Sequence, residues 1–187
     1  MSEFLDERQQ AFLLDLARQS VTAAVTAARE IRPPTADPVL LAKRGAFVTL
    51  KVGGELRGCI GYPLPYKPLA ETVAGMAMAA ATQDTRFDPI APADLPRLEI
   101  EISVLTLPRP VDDVTEIVVG RHGIIVTQGR RSGLLLPQVP TEYGWDLETY
   151  LRHGCLKAGL PPNSWKTGAK IEVFEAQVFS EEHGGGA

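Results

Sequence analysis

The residues best suited to chemistry sit together in one short stretch, Leu56-Arg57-Gly58-Cys59-Ile60-Gly61. A thiol lies between two glycines, two residues after an arginine, in a β-type pattern. Glycine in a strand marks a bulge, a bend or a close backbone approach. The thiolate is the reactive form of cysteine, and a neighbouring cation favours it. On an extended strand Glu55, Arg57 and Cys59 share one face, and Leu56, Gly58 and Ile60 the other. Cys59 is therefore a candidate nucleophile or redox thiol, with Arg57 as the cation beside it. Gly58 and Gly61 frame the thiol and leave room for a ligand against the backbone. The plain alternative is a small core residue. A two-residue turn at Gly53-Gly54 pairs Cys59 with Val48 and Arg57 with Leu50, which makes the Cys59 face partly apolar, and free cysteine is among the most buried residue types.

Other side chains could serve such a thiol. Glu99, Glu101 and Ser103 form a polar row on an otherwise apolar strand. Glu101 could orient a base or pair a cation there, and Ser103 could contact a ligand. The same row is also what the wet face of an antiparallel sheet looks like. His122, in a turn before Gly123, gives a Cys/His arrangement with Cys59 if two hairpins pack side by side; a turn histidine is more often simply exposed. Arg86 and Phe87 could clamp an anionic or planar ligand, or Phe87 could plug a helix–strand junction. His153 and His183 are weaker candidates. No histidines or cysteines have metal-ligand spacing, and no phosphate-binding glycine loop or nucleophile elbow occurs, so neither metal nor cofactor is expected.

The elements that must position these residues follow from pattern. The chain has 187 residues, 44% hydrophobic and 22% charged, enough for a sizeable core in a single domain over 1–187. A net charge of −4 argues against a nucleic-acid duplex as partner, and Arg121, Arg130 and Arg131 read as solvated loop charges. Two cysteines make no disulfide framework. The acidic N-terminus is not a secretory signal, and no apolar run is long enough for a membrane span. A reducing cytoplasm is the expected location.

Residues 4–31 read as an amphipathic helix stopped by Pro33-Pro34. Strands are expected at 46–52 and 55–60, joined at Gly53-Gly54. A helix runs from Pro68 to about Thr82, rich in alanine and able to approach a sheet closely. Leu98 to Thr106 is the cleanest strand. A short strand at 117–119, strands or apolar runs at 124–127 and 134–136, a helix from Asp146 to about Ala158, and a last strand over 171–179 complete the set, with 181–187 as a frayed tail. Gly45-Ala46-Phe47-Val48-Thr49 echoes Gly123-Ile124-Ile125-Val126-Thr127, and each opens a hairpin, a helix and a strand, which reads either as two related units or as chance similarity of three identities. The expected fold is α+β: two related β-hairpin–α–β units around one curved, mainly antiparallel sheet, with an N-terminal helix.

The hexapeptide resembles the signature of the AMMECR family, also called AmmeMemoRadiSam system protein A. The resemblance runs from about Phe12 to Phe179 and includes Asp84-Thr85-Arg86-Phe87-Asp88-Pro89, Ile100 to Leu105, Val119-Gly120-Arg121-His122-Gly123-Ile124, Leu136-Pro137-Gln138-Val139 and Gly144-Trp145-Asp146. It implies an α+β fold with a duplicated unit and a single curved sheet. It also implies a Memo-like protein and a radical S-adenosylmethionine protein as partners, and it carries no established reaction. Arg57 and Cys59 occupy signature positions. Tyr62 stands where a small or hydroxyl residue is expected, which would narrow a pocket there, and Cys155 matches no signature position. Two functions follow as expectations: a cytosolic enzyme acting through Cys59 on a small molecule or modified protein group, or a non-catalytic module of the same system that binds a protein or ligand.

Overall fold

The computed structural model of the chain describes residues 4–181. It is an α+β fold with an N-terminal helix and antiparallel strand pairing. The helix, α1 (Glu7–Ala27), starts where Asp6 and Gln9 cap each other reciprocally: the Gln9 N–H donates to the Asp6 carboxylate at 2.8 Å and the Asp6 N–H to the Gln9 side chain at 3.0 Å. Such a cap is worth about 1 kcal/mol. The helix stops four residues before the expected end, because Ala28 turns into the left-handed region at φ 49°.

The described residues divide into two compact units, 4–105 with 177–181, and 106–176. In the first, β1 (Ala46–Val52) and β2 (Glu55–Tyr62) form a hairpin, α3 (Leu69–Thr82) follows, and β3 (Leu98–Leu105) pairs with β1. A short α2 (Pro38–Leu41) precedes the hairpin, and β8 (Ala176–Ser180) closes a sheet of order β2-β1-β3-β8. One sheet face is apolar: Val48, Leu50, Ile100 and Ile102 are buried in one core with Leu13, Leu16 and Val21 of α1 and Val73 and Ala77 of α3. Each fully buried aliphatic side chain contributes about 1.5–3 kcal/mol. In the second unit, β5 (Gly123–Gln128) and β6 (Arg131–Leu135) form the hairpin, a short α4 (Val139–Tyr143) and α5 (Leu147–Lys157) follow, and β7 (Lys170–Phe174) pairs with β5. With the two-residue β4 (Arg109–Pro110), the order is β4-β7-β5-β6. The expected pair of β-hairpin–α–β units is thus present, and both hairpins close on turns with positive-φ glycines, Gly53-Gly54 and Gly129.

Two expectations about the strands are corrected. The strands form two four-stranded sheets, not one curved sheet. The cause lies in the last strand, which divides at Glu175: its N–H donates to the Thr106 hydroxyl at 2.8 Å and its C=O accepts from the Thr106 N–H at 2.9 Å. That removes Glu175 from either ladder, so β7 and β8 belong to different sheets. Residues 117–119 are not a strand, because the Val118 N–H is spent on the His122 ring at 3.0 Å. Of the expected tail, 182–187 and with it His183 lie outside the described residues.

Candidate functional site

Cys59 owes its position to a bulge. From the turn, Val52 pairs with Glu55 and Lys51 with Leu56, but Leu50 then pairs with Gly58 and Thr49 with Cys59. Arg57 is the extra residue, without a partner on β1. Since strand side chains alternate, one inserted residue moves all that follow to the opposite face. The expected Val48–Cys59 pairing is therefore replaced by Thr49–Cys59, and the thiol leaves the apolar face for the polar one. Gly58 takes the apolar side, where an added Cβ would fall far inside contact distance of the Ala80 carbonyl of α3. Tyr62 also turns to the core side and meets Tyr66 edge-on, so it does not narrow the Cys59 face.

Cys59 is half-buried, and its sulfur accepts a hydrogen bond from Thr49 Oγ1 at 3.2 Å. β2 is an edge strand, and the main chain of Cys59 is bracketed from outside the sheet. Its N–H donates to the Asp84 carboxylate at 2.9 Å, and its C=O accepts from Arg86 Nη2 at 3.1 Å. Arg86 is forked onto Asp84 through Nε at 2.9 Å and Nη2 at 2.7 Å. The Asp84 side chain is only 6% exposed. The Arg86 guanidinium, aided by the Cys59 and Arg86 amides, holds the Asp84 carboxyl well below the usual carboxylate range. Two side chains so supply what a neighbouring strand would supply, an acceptor for N–H and a donor for C=O. They also fix the residue that carries the thiol and block strand addition at that point.

The other expected residues are distributed as follows. Arg57 is drawn to the Asp94 carboxylate at 3.7 Å and the Asp88 carbonyl at 3.4 Å, so the guanidinium hydrogen-bonded to Cys59 is that of Arg86. Glu101 stands opposite Thr49 on β3, completing a row Cys59–Thr49–Glu101 across three strands. It lies two strand spacings from Cys59, about 9.5 Å. Ser103 belongs to the next row, with Phe47 and Gly61, and the Phe47 ring occupies the space above Gly61. Phe87 lies against the Arg86 guanidinium at 5.2 Å.

His122 lies in the second unit and is committed there. Its Nδ1 accepts the Val118 N–H at 3.0 Å, which leaves the ring proton on Nε2, 3.5 Å from Glu175. Burial pushes its pKa down; the Glu175 charge opposes that and Arg109 and Arg121 reinforce it. Tyr150, fully buried, donates to the His122 carbonyl at 3.0 Å, and burial holds its hydroxyl protonated far above the ordinary tyrosine value. An imidazole whose Nδ1 lone pair is already taken is a clasp for the 118–123 turn and not a free base. Arg121 and Arg131 are engaged as well, with Glu175 and the Gly159 carbonyl. Trp145 is stacked between Tyr143 and His153, anchoring the start of α5.

A cavity of about 1100 Å³ in the first unit, lined by Leu14, Arg18, Arg97, Glu99, Phe179 and Glu181, does not include Cys59. Its Arg18 is spent on Glu181 and the Leu98 carbonyl, which leaves it little to offer a ligand. Among the described residues no three His, Cys, Asp or Glu side chains are grouped to hold a metal ion, and no helix is long and apolar enough to cross a membrane. Asp84 is the residue that sequence reading missed. Its only local signal is Asp-Thr-Arg directly after a helix, the pattern of a side chain turning back on its own backbone.

This chain is similar to known proteins over nearly its full length. A family model described as AMMECR1 matches residues 14–179. Protein MK0488 of Methanopyrus kandleri is 50% identical, over 97% of this chain and 93% of its own length. Protein TK0174 of Thermococcus kodakarensis is 46% identical, over 92% and 90%. The crystal structure of uncharacterized protein PH0010 from Pyrococcus horikoshii matches with a TM-score of 0.79 and 41% identity, covering 100% of this chain and 97% of that one.

Proposed function

This chain belongs to the AMMECR1 family, and from that premise we propose that it is a thiol enzyme in which Cys59 is the nucleophile. One observation carries the reading: the bulge at Arg57 turns Cys59 out of the core and onto the polar sheet face, beside a hydroxyl donor. A cysteine kept for packing gains most from full burial. Cys155 shows that alternative in the same chain, fully buried in the second core with its thiol pushed up by burial.

In the proposed step the Cys59 sulfur forms a bond to an electrophilic carbon of the substrate. The group displaced there leaves with the bonding electrons, and the thiol proton passes to solvent. Thr49 donates to the sulfur as its negative charge develops, and Glu101 stands opposite Thr49 in the same cross-strand row. The substrate is a small molecule or a modified protein group. A Memo-like protein and a radical S-adenosylmethionine protein are its proposed partners and a reducing cytoplasm its compartment, on the strength of the family resemblance.

Alkylation of the native protein by iodoacetamide, with each site followed by mass spectrometry, tests this. Cys59 is expected to react at least about tenfold faster than Cys155, and Thr49→Val to slow it. A Cys59 as slow as Cys155 sinks the reading. A non-catalytic binding module is the second reading. It is favoured by the fact that, among the described residues, Thr49 supplies the side-chain hydrogen bond to the sulfur and no carboxylate or imidazole does. Capture of the Memo-like protein that survives Cys59→Ser, with no activity found to lose, would support the module.

A further inference from the structure

Resting on the reading of Cys59 as a nucleophile, we propose that Arg86 selects the substrate: the site takes an electrophile bearing a carboxylate or phosphate group, which the Arg86 guanidinium holds beside the thiol. Arg86 sits at the right place, since its Nη2 donates to the carbonyl of Cys59 itself at 3.1 Å. It is held in a fixed orientation by its fork onto Asp84 and by the Phe87 ring at 5.2 Å. It is also open, with 59% of its side chain exposed. Nε and Nη2 carry all its described side-chain hydrogen bonds, so both Nη1 protons are without a protein acceptor among the described residues.

Asp84 does not cancel this charge where a ligand would meet it. Its carboxylate accepts from the Cys59 N–H, the Arg86 N–H and the two guanidinium nitrogens, and it is almost wholly buried. The guanidinium is the half of the pair that reaches solvent. Together they form a dipole with its positive end outward. Arginine does not give up its proton near neutral pH; its part is therefore recognition of an anionic group, not proton transfer. A net charge of −4 on the whole chain would repel anions, so any preference for them must be local.

Two alkylating agents isolate the point. Iodoacetate and iodoacetamide form the same S–C bond, expel iodide with the C–I electron pair and release the thiol proton to solvent; only iodoacetate carries a carboxylate. The measurement is the iodoacetate-to-iodoacetamide rate ratio at Cys59 in the native protein, divided by that ratio in the urea-unfolded protein. At low ionic strength the quotient is expected to be at least about fivefold, a preference of about 1 kcal/mol. It should fall to near one in Arg86→Gln, be partly kept in Arg86→Lys, and collapse in the wild type at about 0.5 M salt. The salt series needs no substitution, so it decides the matter even if a variant fails to fold. A native quotient near one, or one that salt and Arg86→Gln leave unchanged, overturns the proposal while Cys59 remains a reactive thiol. A Cys59 inert to both reagents overturns it together with the reading it rests on.

Discussion

The two β-hairpin–α–β units follow one plan and put their polar residues to opposite uses. In both, the first hairpin strand is central, with the second hairpin strand on one side and the post-helix strand on the other. In both, a glycine of the second hairpin strand lets a helix backbone approach: Gly58 against Ala80 and Gly133 against Ala158. The second hairpin runs in register from its turn, Thr127 with Ser132 and Val126 with Gly133. The first inserts Arg57 between turn and glycine. That single residue puts a thiol on the polar face and gives the loop residues Asp84 and Arg86 a strand edge to bracket. The second unit, with no bulge, turns its distinctive groups inward: His122 and Tyr150 bind backbone groups, and Cys155 is core. One strand–helix plan presents a functional group through one inserted residue in the first unit, and in the second spends the same resources on closing itself.

The comparison breaks first at the glycines. Gly58→Ala and Gly133→Ala each force a methyl into a helix backbone that cannot yield like a side chain, and each is expected to cost about 3 kcal/mol. Denaturant midpoints of the two variants check this. A tolerated Gly58→Ala would mean that helix approach does not hold the bulge in place.

Asp84→Asn comes next, at about 2 kcal/mol near neutral pH, since hydrogen bonds to a buried charge are lost. Because the folded Asp84 carboxyl lies well below the unfolded value of about 3.9, the unfolded state takes up the proton first as pH falls. The stability Asp84 contributes is thus full above about pH 4 and lost below it. Urea titrations across that range should show a shallower acid loss in Asp84→Asn than in the wild type. No such difference would remove Asp84 as the anchor of the bracket.

The smallest effect sharpens the comparison by pH. His122 also has a lowered folded pKa, set against an unfolded value near 6.5, so the stability it gives is present above about pH 6.5 and declines as pH falls below it. Hydrogen exchange corrected for intrinsic rates should show β5 to β7 losing protection between about pH 7 and 5, with β1 to β3 unmoved until about pH 4. His122→Gln should flatten the first of these. A simultaneous loss in both sheets would contradict the separate commitments of the two units.

Much of this was legible in the residues. Gly53-Gly54 marked the first turn, Pro68 and Asp146 marked helix starts within a residue, and the echo of Gly45–Thr49 at Gly123–Thr127 marked the central strands of two units of like element order. These are local signals, written in backbone preference and period. The split at Glu175 was not legible, because it depends on a threonine 69 positions away. Nor was the use of His122, whose ring is taken by an amide that the expected strand would have used.

By itself the sequence determined that this chain carries a glycine-framed thiol on a hairpin strand, within two linked β-hairpin–α–β units. Tertiary structure decided which way that thiol faces. Turn chemistry alone would pair Cys59 with Val48 on the apolar side. The close seat of α3 against Gly58 goes with a register one residue further on, and a strand cannot shift by one residue without reversing its faces.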